Sequence, residues 1–150
     1  MGGAEQMNLA IMTAKYVGTP YKLGGWSREE GFDCLSLMLS IADDRGIEVP
    51  EEFEGVTRET YAELWETNKK KAERLLFKFA ASLGQEIPPH RAFAGDLLIA
   101  KSKADGSLVL AIHAGQSLML SAFTDTGVDL VGLDHYEIKK AYKWVNRSNC

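Results

Sequence analysis

Cysteine is scarce in this chain. Only Cys34 and Cys150 occur among 150 residues, and Cys150 is the last of them. Two cysteines at such separation form neither a disulfide framework nor a zinc-ligand spacing, so a stapled mini-fold and a zinc module are excluded and no metal site is expected. Long apolar runs are missing too: none approaches the 18 or so residues that a membrane-spanning helix needs. The opening MGGAEQMNLA has no basic start followed by an apolar stretch, so a secretory signal is not expected and synthesis in the cytoplasm is. Positive charge is in deficit, with 17 Lys and Arg against 21 Asp and Glu, a formal net charge of -4. Such a chain lacks the basic footprint of a nucleic-acid binder. The run Lys69-Lys70-Lys71 lies among acids and reads as the solvated face of a helix. Histidine is limited to three residues, which restricts any chemistry that needs an imidazole.

What is present is ordinary for a globular domain: 45% hydrophobic and 25% charged residues. The length suits one domain spanning residues 1–150. Helical spacing of Met7, Ala10, Ile11 and Ala14 predicts a first helix over about Glu5–Val17, stopped by Gly18. A glycine-rich loop, GTPYKLGGWSREEGF, leads to a helix that Asp33 opens and Gly46 closes. That helix is apolar over most of its circumference and is expected to be buried. The charged stretch 51–90 reads as a helical insertion, with one helix from Thr57 to Leu83 ended by Gly84 and Pro88-Pro89. From Gly95 onward short apolar segments alternate with turns, the Asp105-Gly106 pair being a strong hairpin signal. A final segment, HYEIKKAYKWV, is placed to close the sheet. Helices first and an antiparallel meander afterwards is an α+β pattern.

Cys34 stands in a setting that suits chemistry. A thiol becomes a nucleophile as its pKa falls, and a helix N-terminus lowers it. Asp33 as N-cap puts Cys34 at the first helical position, behind a loop whose glycines let a substrate approach closely. The plain alternative is a free cysteine that fills core. A cysteine nucleophile needs a base, usually histidine. His90 lies between Pro89 and Arg91 in a loop, and His135 in the polar turn LDHYE. His113 lies inside the strand LVLAIHAG, where an inward polar residue calls for a reason. A cysteine at a helix start facing a histidine on a strand is the papain-type arrangement.

The stretch YVGTPYKLGGWSREEGFDCLSL, followed by a helix and GIEVP, resembles the NlpC-type cell-wall peptidases, bacterial papain-like cysteine hydrolases. Gly95-Asp96-Leu97 and the hairpin SLVLAIHAGQSLMLSA extend the likeness, which covers Tyr16–Pro50 and about Gly95–Gly132. It implies an N-terminal group of helices packed on an antiparallel meander or partial barrel. It implies Cys34 as nucleophile, with Tyr21 beside it, Gly24, Gly25 and Trp26 lining a groove, and Asp33 and Ser121 among the substrate-binding residues. The base has two alignments. One sets Val109 at the family's histidine and Ser121 at its second polar position, leaving His113 on the same strand face about 13 Å further along. The other slides His113-Ala114-Gly115 onto the histidine motif, making His113 the base, and moves the turn into SLML.

The function implied is a cysteine peptidase or amidase that cleaves peptidoglycan stem peptides. Backbone N–H groups at the helix start would hold the oxyanion, and no cofactor is needed. The likeness is nearest to members found in phage and prophage tails, with tail proteins as partners and a virion-associated location. The alternative is a catalytically degenerate domain on the same fold, kept as a structural or binding component of a tail tip.

Overall fold

The computed structural model describes residues 11, 13–49 and 52–144. Residues 11 and 13–16 of the expected first helix are helical, and its earlier part lies outside the described residues, as does Cys150. Two small hairpins, β1 (Trp26–Ser27) with β2 (Gly31–Phe32) and β3 (Glu52–Phe53) with β4 (Val56–Thr57), flank the central helix α1 (Cys34–Asp44). α1 begins at a capping box. The Asp33 carboxylate accepts from the Ser36 N–H at 2.8 Å, and the Ser36 hydroxyl accepts from the Asp33 N–H at 3.0 Å. Beyond its end, Gly46 takes the left-handed conformation, φ 71°, that releases the chain. Leu37, Met38, Ile41 and Ala42 are fully buried, as an all-round apolar helix demands.

The insertion contains two helices where the sequence suggests one. α2 (Arg58–Thr67) is capped by Thr57, and α3 (Lys69–Leu83) follows after a break at Asn68, φ -150° and ψ 74°. The apolar phase runs through the break, but asparagine is a poor interior residue and a good N-cap. Its Oδ1 accepts from the Lys71 N–H at 3.3 Å. Gly84, read from sequence as a stop, opens strand β5 (Gly84–Ile87).

The remaining strands are β6 (Leu97–Ser102), β7 (Leu108–Gly115), β8 (Leu118–Phe123), β9 (Gly127–Gly132) and β10 (Tyr136–Trp144). They form one six-stranded antiparallel sheet with β5, in the order β5-β10-β6-β7-β8-β9. The last strand, read from sequence as the segment that closes the sheet, lies inside it, between β5 and β6. The fold is α+β, with α1 and α3 on one face of this sheet.

Both faces of the sheet are buried. Leu97, Ile99, Leu110, Ile112 and Leu120 join the helices in the larger core, while Leu98, Ala100, Ala111, Met119 and Ala141 form a second cluster on the opposite face. β7 and β8 pair from Gly115↔Leu118 to Ile112↔Leu120 and no further among the described residues. At the parting the Ser121 hydroxyl donates to the Leu110 carbonyl at 2.8 Å, satisfying an acceptor that the ladder leaves open. The opening between these strands is where the N-terminus of α1 arrives. No helix among the described residues is long and apolar enough to cross a membrane.

Candidate functional site

Cys34 opens into a cleft of about 380 Å³ that fills the parting of β7 and β8. Leu108 and Val109 from β7 and Ala122 and Phe123 from β8 stand around it, with Tyr21 from the glycine-rich loop. The insertion contributes Trp65 from α2, and β10 contributes Tyr136, whose ring lies 6.2 Å from that of Phe123. Asp105 and Asp125, on the turns after β6 and β8, stand at the mouth. The insertion thus builds part of the cleft wall. Tyr61, one helical turn before Trp65, sits 6.0 Å from its ring and secures it against the core.

The thiol is held in its protonated form. Burial pushes Cys34 up to about 12, and the neighbouring Asp33 carboxylate adds to this. The amides of Leu110, Cys34 and Leu35 pull the other way without prevailing. Tyr21 is likewise pushed up to about 12, by burial first, with a Cys34 thiolate, where one forms, and Asp33 adding to it. It cannot accept a proton from the thiol.

Asp33 is 3% exposed and commits both carboxylate oxygens to the protein. One caps α1, and the other accepts from the Gly24 N–H at 2.8 Å, tying the glycine-rich loop to the helix start. Burial raises its pKa against the lowering effect of these hydrogen bonds. Gly25 is buried in the same loop, and a Cβ there would collide with the Gly31 carbonyl. Its part is to let two backbone segments touch. Trp26 lines a separate depression with Leu39, Ser40, Asp43 and Ala62, away from the Cys34 cleft. Ser121 is fully buried, spends its hydroxyl on Leu110 and does not line the cleft.

His113 is not brought to Cys34. The Leu110 N–H faces the sulfur, and His113 stands three residues further along β7, about 10 Å away at the strand's rise. It pairs with Met119 of the second cluster, and its Nδ1 accepts from the Gly115 N–H at 3.0 Å. Its backbone anchors the start of β6 through Gly95 and Asp96. Burial lowers its pKa, opposed by Asp96, so the ring is neutral at pH 7. His90 and His135 are exposed on single-turn helices, Pro89–Arg91 and Leu133–His135. No imidazole lines the cleft. Val109 of β7 lines it. The arrangement can enclose a ligand in an aromatic-walled slot, but it brings no imidazole to the thiol.

Trp65, Tyr136, Asp105 and Asp125 were not singled out for the site from sequence. The Tyr61–Trp65 spacing on an amphipathic helix was the available sign of an aromatic face, but not of what that face covers.

One family profile, the NlpC/P60 family, matches residues 18–147. No curated protein sequence matches the chain. Among solved structures, the NlpC/p60 domain of the peptidoglycan hydrolase SagA is 22% identical, with a TM-score of 0.60 over 92% of this chain and 97% of that one. A lipoprotein-like NLP/P60 family protein from Staphylococcus aureus is 23% identical, with a TM-score of 0.61. There the match covers 95% of this chain and 42% of the longer protein. RipD from Mycobacterium tuberculosis, described as a non-catalytic NlpC/p60 domain protein adapted to peptidoglycan binding, is 15% identical. Its TM-score is 0.56 over 94% of this chain and 98% of that one. At these identities the structures establish the fold.

Proposed function

Because the chain belongs to the NlpC/P60 family, we propose that it binds cell-wall peptide in the Cys34 cleft without cutting it. One observation carries this reading: the strand residues beside Cys34 are Leu108, Val109, Ala122 and Phe123, and no imidazole lines the cleft. The hydrolase expected from the sequence would need Cys34 to lose its proton to a base, and burial instead favours the protonated thiol. The cleft itself is retained, with a volume and aromatic lining suited to a peptide segment. Existence of a non-hydrolytic relative with the same fold, RipD, supports the reading. The phage-tail setting expected from the sequence has no support among the matched structures and is not part of the proposal.

Incubation with purified peptidoglycan tests it. The protein is expected to cosediment with the insoluble polymer, and mass spectrometry of the supernatant to reveal no released fragments. Cys34→Ala is expected to cosediment within about twofold of the parent, since the thiol makes no ionic contact. Fragments released by the parent and not by Cys34→Ala would overturn the reading.

A further inference from the structure

The turn that joins β7 to β8 is built against the preferences of its residues. Gly115, Gln116 and Ser117 follow one another in the left-handed region, at φ 84°, 53° and 61°. A two-residue hairpin turn of this kind needs that conformation at both central positions, where asparagine and glycine are favoured. Here glutamine and serine occupy them, and their Cβ atoms make the conformation costly. A bulge just before the turn leaves Ala114 out of the β7–β8 register. The half-buried His113 closes this turn. Its Nδ1 accepts from the Gly115 N–H at 3.0 Å, so the neutral ring carries its one proton on Nε2. Its carbonyl accepts from the Gly95 N–H at 2.7 Å, and its N–H donates to the Asp96 carbonyl at 2.9 Å. The residue thus stands where the end of β7, the turn and the start of β6 meet. Among the described residues Asp96 is the charged group that acts on the ring. That carboxylate accepts from the Phe93 N–H at 2.8 Å and from the Lys143 ammonium at 3.4 Å, and takes no hydrogen bond from the imidazole. Of the other neighbours, β8 presents Met119 opposite His113, and α1 brings Arg45 to the Gly95 carbonyl at 3.5 Å. The single-turn helix Leu133–His135, whose Leu133 N–H donates to the Ser117 carbonyl at 2.8 Å, carries Asp134 and His135.

We propose that His113 is a proton-operated latch on the β7–β8 turn, independent of any ligand in the Cys34 cleft. An incoming proton has one place to go, Nδ1, since Nε2 already carries one. The new Nδ1–H then faces the Gly115 N–H, donor against donor. The imidazolium releases Gly115, and the strained Gln116–Ser117 pair opens with it. Burial lowers the pKa of this ring below the ordinary histidine value of 6.5, with Asp96 opposing the shift. The stability that the latch contributes is therefore full above 6.5 and is lost as pH falls through the lower folded-state value.

Amide exchange and imidazole titration, both followed by NMR on the full chain as pH is lowered from neutral through the titration of the His113 ring, test this. Gly115 protection, corrected for the intrinsic effect of pH on exchange, is expected to fall about tenfold, the scale of one hydrogen bond. The fall is expected to share its midpoint with the imidazole signals of His113. His113→Asn places an amide oxygen where Nδ1 stands, an acceptor that does not titrate, and is expected to keep Gly115 protected throughout. A Gly115 amide in the parent whose protection is indifferent to the titration of His113 overturns the latch. An equal loss of protection in His113→Asn overturns it too, since the turn would then open for a reason other than the imidazole.

Discussion

Asp33→Ala is expected to lower the unfolding free energy by about 2–4 kcal/mol. Loss of an N-cap costs roughly 1–2 kcal/mol by itself. Here the same side chain also satisfies the Gly24 N–H, so its removal orphans two amides, at roughly 1–3 kcal/mol for each that stays dry. The sum is reduced because burial already disfavours the Asp33 carboxylate, and alanine releases that penalty. For a domain of this size the change corresponds to a fall in Tm of about 10 °C, read by thermal denaturation. Asp33→Asn keeps one acceptor and is expected to cost about 1 kcal/mol. Because burial raises the folded-state pKa of Asp33, the stability contributed by its protonation is full below the unfolded value and fades as pH rises through the folded one. An Asp33→Ala protein within about 0.5 kcal/mol of the parent would mean that the loop and the helix start are held by something else.

Trp65→Ala is expected to weaken cosedimentation with peptidoglycan by about 30-fold or more. A buried aromatic at the centre of a binding surface costs roughly 2 kcal/mol or more on truncation. Trp65 is half-buried on the cleft wall and braced by Tyr61, which makes it the aromatic anchor of that surface. Trp65→Phe, which keeps a ring face but loses the indole N–H, is expected to fall between the two. Unchanged binding in Trp65→Ala would place the ligand outside the cleft.

The sequence made parts of this structure legible for identifiable reasons. The start of α1 was readable because Asp33 caps it and the residues after it are apolar on all sides. The strands from Leu97 onward were readable from their turns, Asp105-Gly106 above all. The face of β7 that meets Cys34 was not, because LVLAIHAG is apolar on both faces and both are buried. A strand of that kind carries no polar alternation from which to read its orientation. Hence the sequence leaves two alignments of the histidine open. The break at Asn68 left the helical phase intact and showed only in the capping preference of one residue. Trp65 was legible as an aromatic on a helix but not as cleft wall, since that depends on how the insertion lies over the sheet. Trp26 was carried into the groove by family likeness, and the β1–β2 hairpin turns it elsewhere.

The central claim is that Cys34 has no base, and the pH dependence of its alkylation tests this most directly. The measurement uses iodoacetamide on a Cys150→Ser background, so that one thiol reports. A pKa raised to about 12 means that the thiolate fraction climbs with pH through that value. The expected rate is therefore very slow at pH 7 and rises about tenfold for each pH unit to pH 10 and beyond, unchanged by His113→Ala. A rapid reaction that levels off near neutral pH, and that His113→Ala abolishes, would reveal a working cysteine–histidine pair and contradict the account.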